Sequence, residues 1–316
     1  MSMDVETVIE RRRLRRQVGL WRALAIVAGV VVLIAFAGVR AQQSGLFANQ
    51  QIARVKIEGL ITDDAKRLAM LRRIAKSDNV RGVIVYVDSP GGTTTGGEGL
   101  FNTLREVSEK KPVVAQFGTV AASAAYIVGL ATDHIVTREN TITGSVGVIV
   151  QWPQVTKLLD NLGVKVNQVK SGTLKAEPNL FEEANPAALA VTREMIEESQ
   201  AWFNGLVADR RNVDPASVPG LTDGRVYSGR MAVKLKLADA IGSQDEAVTW
   251  MTAERQVPKD LPIVDWKPRE EFPLSFGRGA AWVWAAITGT SPDSISNPFA
   301  TLALDGMLSV WQPQEK

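Results

Sequence analysis

The sequence predicts an α/β domain with a mainly parallel sheet, carried behind one N-terminal transmembrane helix. Two patterns predict it. From Gln51 to about Ala253, short β-branched runs alternate with stretches of helical spacing, as strands joined by helical crossovers do. Upstream, Ala23–Val39 (ALAIVAGVVVLIAFAGV) carries no charge. With Leu20 and Trp21 it reaches roughly the twenty residues that a bilayer requires.

The N-terminal segment sets an orientation. Arg11, Arg12, Arg13, Arg15, Arg16 and Arg22 precede the apolar run, and only Arg40 follows closely. The positive-inside rule then leaves residues 1–19 in the cytoplasm and residues 20–40 in the membrane, and sends the rest across. A cleaved signal peptide has the same charge order, and Val39-Arg40-Ala41 offers a cleavage site, but the apolar region is long for that role. Residues 41–51 form a polar linker.

In the domain proper, 52–256, IARVKIEG and GVIVYVD are strand-like, the second apolar enough to be buried on both faces. PVVAQF, HIVT and SVGVIV are expected as further strands, and VKVNQV has the same character. Asp63–Ser77, Gly97–Ser108 and Pro153–Asn161 have helical spacing. Ala187–Asp209 predicts a longer amphipathic helix, with Met195, Trp202, Phe203 and Leu206 on one stripe. No long repeat is present. The extension 257–316 begins with prolines at 258, 262, 268 and 273 and ends in two apolar stretches too short to span a bilayer. It could pack on the domain, bind a neighbouring subunit or lie on the membrane surface, and packing within the assembly is the expectation.

Composition narrows the function. The formal net charge is +2, with much of the basic excess in the N-terminal arginines, so nothing recommends nucleic acid as a partner. The absence of cysteine excludes disulfides, thiolate metal sites and a cysteine nucleophile. No metal or organic cofactor is called for.

Chemistry-bearing residues fall in three places. Asp88-Ser89-Pro90-Gly91-Gly92 follows GVIVYVD, and a strand ending in Pro-Gly-Gly exposes backbone N–H groups. That suits an oxyanion hole or an ordinary strand–helix turn; GGTTTGGEG lacks the lysine of a phosphate-binding loop. Next, FGTVAASAAY surrounds Ser123 with small residues at a strand-to-helix junction, where the N–H of Ala124 is unpaired. The same small residues also suit close helix packing.

A serine nucleophile needs a base. The sole histidine, His134, follows the helix that Ser123 opens, at the wrong end of about 15 Å of helix, so a Ser–His–Asp triad is not expected. A lysine serves if burial lowers its pKa towards neutrality. Lys175, in VKSGTLKAEP, is the candidate and Lys170 its competitor, and nothing local distinguishes them.

Taken in order, DSPGG, AAS with two small residues and Tyr, TGSVGV and VKSGxxK resemble the signal peptide peptidase A family of Ser–Lys proteases, from about Arg54 to Trp250. The resemblance implies a crotonase/Clp-protease fold of repeated ββα units. It makes Ser123 the nucleophile, Lys175 the general base and Ser145 the hydroxyl that hydrogen-bonds the lysine. It places oxyanion donors at the N–H of Ala124 and of Gly91. One copy of the motif set implies a half-length member, assembling as a homo-oligomer whose neighbouring subunits contribute serine and lysine. Ala124 and Ala125 stand where the family often has Gly-Gly, which keeps the N–H and narrows the site.

The expectation is a membrane-anchored serine endopeptidase that cuts apolar peptides, such as released signal peptides, at the outer face of the cytoplasmic membrane. A crotonase-fold acyl-CoA enzyme would need a carboxylate near the Pro-Gly-Gly segment, where Glu98 is the one candidate, and is usually soluble. A non-catalytic scaffold of the same fold predicts a substituted dyad.

Overall fold

The computed structural model describes residues 50–269 and Leu308–Val310, with Trp21, Arg22 and Val27 from the N-terminal unit. Apart from Val27, the apolar run Ala23–Val39 lies outside the described residues. Among the described residues no helix is long and apolar enough to cross a membrane.

Gln51–Ile61 (β1) runs parallel to Val80–Thr93 (β2), paired from Ile52↔Gly82 to Glu58↔Asp88. Between them lies Ala65–Lys76 (α1), capped by Asp64, whose carboxylate accepts from the N–H groups of Lys66 and Arg67. Thr94–Ser108 (α2) leads to Val113–Ala122 (β3), again parallel to β2. Ala124–Leu130 (α3) follows directly, and its seven residues are all buried. His134–Thr137 (β4) and Ile142–Gly144 (β5) both pair with β3 on its far side, β4 near its start and β5 at its end.

After the short helix Thr156–Asn161 (α4) comes Pro186–Arg211 (α5), capped by Asn185 with proline in its first turn and closed by left-handed Asn212. Val226–Ser228 (β6), Gly229–Lys234 (α6), Ala240–Ile241 (β7), Gln244–Arg255 (α7) and Ile263–Trp266 (β8) complete the domain. The sheet order is β6-β5-β3-β2-β1-β8, parallel except for β5–β6 and for Leu308–Val310 (β9) on β2.

Period-2 alternation divides the sheet between two cores. Val83, Val85 and Val87 of β2 face the larger one, with α1, α2 and α3. Ile84 turns the other way to Ile52, Val114, Val136 and α7 residues Ala247 and Met251. Burial of GVIVYVD on both faces, as its apolarity predicts, follows from this layering.

Three expectations change. SVGVIV is not a strand and keeps only an isolated bridge at Ile149; β5 ends at Gly144, where φ of 88° at Gly144 and 51° at Ser145 turns the chain away. VKVNQV, 164–169, is exposed and forms no strand, because a β-branched run needs a neighbour to pair with. The Pro-Gly-Gly segment is not a turn: β2 continues through it to Thr93. That continuation depends on Gly92, where a Cβ would sit 1.8 Å from the carbonyl oxygen of Ile61. The long helix is placed as expected, but Met195 is exposed and packing is concentrated around Phe203 and Val207.

Candidate active site

Strand β3 is not regular, and its irregularity positions Ser123. Val87 pairs with Phe117, yet two residues later Ser89 pairs with Ala121, so β3 carries two extra residues at Gly118–Val120. Asp88 fills this bulge: its Oδ1 accepts from the N–H of Thr119 at 3.1 Å and of Val120 at 3.0 Å. From the other side, the buried hydroxyls of Thr141 and Thr143 donate to the carbonyls of Gly118 (2.6 Å) and Ala121 (2.7 Å). Two amides and one carbonyl of the bulge, and the carbonyl of Ala121 beyond it, are thus held by side chains. A Cβ at Gly118 would meet the Tyr86 hydroxyl at 2.7 Å and Asp88 Cγ at 2.9 Å. Sequence reasoning marked Asp88 only as the first residue of the Pro-Gly-Gly motif, with no role in holding β3, and did not mark the two threonines.

Asp88→Ala is expected to leave two amide groups without their acceptor and to lower stability by about 1–2 kcal/mol. Asp88→Asn, which keeps one carbonyl oxygen, should lose less. Urea unfolding of the two variants ranks them, and equal loss would mean that the carboxylate charge, not its acceptor geometry, holds the bulge.

Past the bulge, Ala122 pairs with Gly144, and the N–H of Ser123 donates to Gly144 O at 2.8 Å. Ser123 and Ser145 are therefore each one residue beyond a paired position, and the fold brings them side by side. Ser123 caps α3 with φ 59° and ψ −122°, a conformation that is costly for any residue with a side chain. Its carbonyl accepts from Tyr126 and Ile127, and among the described residues no acceptor meets the Ala124 N–H. Gly91 has φ 118° and is two residues beyond Ser89, as Ser123 is two beyond Ala121. Its N–H donates to Ser89 Oγ at 3.1 Å, so in this state the serine holds the amide that would serve an oxyanion. A cleft of about 400 Å³ opens beside Ser145, walled by Val148, Ile149, Gln200 and Thr222.

The other titratable groups sort themselves. His134 pairs with the region of Val114, nine positions before Ser123 along β3, about 30 Å of strand. There it stacks on Trp250 at 4.8 Å, its Nδ1 3.7 Å from Asp239. Burial lowers its pKa against the pull of Asp239, and it has no part in a serine triad. Tyr126, the nearest phenol in sequence, donates to Leu237 O at 2.8 Å and is driven far above its ordinary pKa by burial.

Lys170 is ion-paired with Glu177 and Glu182, and its hydrogen bond to Glu177 raises its pKa, the opposite of what a neutral base requires. Lys175 differs: it is exposed, and its ammonium makes no hydrogen bond or ion pair among the described residues. Within one chain, then, Ser123 and Ser145 each follow the Ala122↔Gly144 pair and Gly91 follows Ser89↔Ala121 by two residues, while Lys175 makes no hydrogen bond or ion pair with any of them. It stands on a projecting stretch, residues 146–185, where Ile149, Leu158, Leu162, Val164, Val169 and Leu174 are also exposed.

Comparison with known proteins agrees with this geometry. Residues 105–258 match the model of peptidase family S49, and residues 44–142 match that of Clp protease. A protein of Synechocystis sp. named as a protease is 32% identical over 203 residues, covering 64% of this chain and 73% of its own. One of Enterococcus faecium named as a signal peptide peptidase SppA is 27% identical over 275 residues, covering 81% and 78%. Protease 4 of Haemophilus influenzae is 31% identical over 212 residues, 63% of this chain but 34% of that longer protein. A mixed α/β sheet of Clp-protease type, a serine held in a strained strand-to-helix junction and these matches together make the chain a serine protease of peptidase family S49, the signal peptide peptidase A family.

Proposed function

We propose that the chain is a membrane-anchored endopeptidase that hydrolyses apolar peptides, released signal peptides among them, with a Ser123–Lys175 dyad. One observation carries the reading: Ser123 is held in a strained backbone one residue past the Ala122↔Gly144 pair, and among the described residues the N–H of Ala124, next in the chain, meets no acceptor. In this mechanism Lys175 takes the proton from Ser123 Oγ, the oxygen attacks the peptide carbonyl, and Ser145 orients the amine. The developing oxyanion is met by the N–H of Ala124 and by that of Gly91, which Ser89 must share or release. Lys175 then returns the proton to the leaving amine, and water repeats the sequence on the acyl-enzyme.

A neutral lysine needs desolvation, and an exposed Lys175 has none. The exposed apolar residues around it supply the remedy: a second copy of the chain covers the projecting stretch and carries Lys175 to the neighbour's serine. The apolar wall of Val148 and Ile149 beside Ser145 supports a preference for apolar side chains. The N-terminal run, residues 20–40, is read as the anchor, with the protease domain outside the cytoplasmic membrane.

The test is cleavage of casein and a synthetic signal peptide by the full chain in detergent, beside Ser123→Ala. Loss of at least about a thousandfold in kcat/KM is expected. Undiminished cleavage by the variant removes Ser123 from the chemistry.

A further inference from the structure

The loop that carries Lys175, residues 171–176, is closed at its base by one ion pair. Lys170 and Glu177 flank it, and the ammonium of the first donates to Oε1 of the second. Asn179 anchors the same oxygen: its side-chain amide donates to Glu177 Oε1 at 2.9 Å, and its own carbonyl accepts from the N–H groups of Phe181 (2.8 Å) and Glu182 (3.1 Å). The N–H of Val155 donates to Leu180 O at 3.0 Å, which fastens this turn to the start of α4. Inside the loop the Lys175 N–H donates to Gly172 O at 3.2 Å, and Ala176 is left-handed at φ 56°.

The carboxylate is more deeply placed than the lysine that pairs with it. The Glu177 side chain is 4% exposed, against 17% for Lys170. Its second oxygen, Oε2, is buried and meets no hydrogen-bond donor among the described residues. Glu182, 3.5 Å from Lys170, is the other charge at the pair. Among the described residues no further charged side chain is ion-paired with Lys170, Glu177 or Lys175. One cation therefore compensates a buried carboxylate that has an acceptor to spare. Lys175 is two residues from that carboxylate, at most about 7 Å along the backbone. A negative charge so near favours the ammonium, the wrong form for a base.

We propose that Lys170 is a positioning residue that acts through Glu177: by engaging this carboxylate it keeps Glu177 from holding the proton on Lys175. The inference takes its purpose from the proposed Ser123–Lys175 chemistry; the ion pair stands without it. Loss of Lys170 leaves a buried carboxylate uncompensated, which is costly, and the flexible Lys175 side chain is the nearest cation in sequence to replace it. Captured in this way, Lys175 stays charged to higher pH and is drawn back from the serine it should serve. Two lysines five residues apart thus divide the work, one as base and one as the counter-charge that frees it.

The experiment compares the full chain in detergent with Lys170→Met and with Lys170→Gln, which keeps a hydrogen-bond donor for Glu177 without the charge. In both, the acid limb of kcat/KM on a synthetic signal peptide is expected to move up by about one pH unit, with activity about tenfold lower along that limb. Lys170→Arg, which keeps the cation, and the double variant Lys170→Met/Glu177→Gln, which removes the carboxylate as well, should return the limb to the parent's position. In a Ser123→Ala background, trace acetylation of Lys175 followed by mass spectrometry across pH should show the same displacement, which a merely loosened loop does not produce. Coincident limbs and labelling curves for the parent and the two neutral variants overturn the proposal. So does a loss of activity that the double variant leaves unrepaired, which makes the pair a structural brace alone. If the parent cleaves no peptide, the peptidase reading falls, while the labelling curves still judge whether Lys170 screens Lys175.

Discussion

Coexpressing a Ser123→Ala chain with a Lys175→Ala chain is expected to restore proteolysis that neither has alone. If each site takes its serine from one subunit and its lysine from the next, half the chains supply a serine and half their neighbours a lysine. Activity then returns to about a quarter of the parent's, per chain, in a random symmetric assembly. The basis is the contrast between two lysines five residues apart. Lys170 is ion-paired in place with Glu177 and Glu182, whereas Lys175 is exposed and makes no ion pair among the described residues. Lys175→Arg should be as inactive as Lys175→Ala, because a guanidinium does not give up its proton near neutral pH. Doubly tagged hetero-oligomers that stay inert would show that the base comes from the serine's own chain.

Gly92→Ala is expected to be the most damaging small change in the domain. Its Cβ would lie 1.8 Å from the oxygen, 2.5 Å from the carbon and 2.6 Å from the nitrogen of Ile61. None of these is a side chain that swings aside, so β1 and β2 must separate where the edge beside Ser123 is built. A loss of at least about 3 kcal/mol follows, or about 6–12 °C in Tm for a domain of this size. Gly205→Ala is the matched control: it lies on the exposed side of α5 with nothing within 4 Å of the added atom, and should gain about 0.5–1 kcal/mol. Calorimetry of the pair decides it. A Gly92→Ala chain that melts with the parent would mean that the β1–β2 register around Ile61 is wrong.

Much of the layering was legible because its causes are local. β-branched runs became β1, β2 and β3, and the helix expected over Ala187–Asp209 is Pro186–Arg211. The exclusion of His134 also rested on length, and β3 places that ring a whole strand away from Ser123. What escaped was non-local. The Pro-Gly-Gly segment reads as a turn until β1 and β9 are seen on either side of it. Asp88, Thr141 and Thr143 look like ordinary polar residues until the two-residue bulge gives them amides and carbonyls to hold. VKVNQV has a strand's composition and no partner strand among the described residues. Lys175 is the plainest case: only the order of motifs singled it out, because its selection over Lys170 depends on two glutamates farther along.

The backbone of Ser123 has a consequence for the family's history. At φ 59° and ψ −122°, every residue but glycine bears a penalty of about 1–3 kcal/mol. Mutation to glycine at this position relieves that backbone penalty. A lineage that ceased to need proteolysis would shed the hydroxyl early, while the bulge, the threonines and the glycine edge drifted far more slowly. If Ser123 is the nucleophile proposed above, selection for its oxygen is what would keep serine at so costly a backbone position.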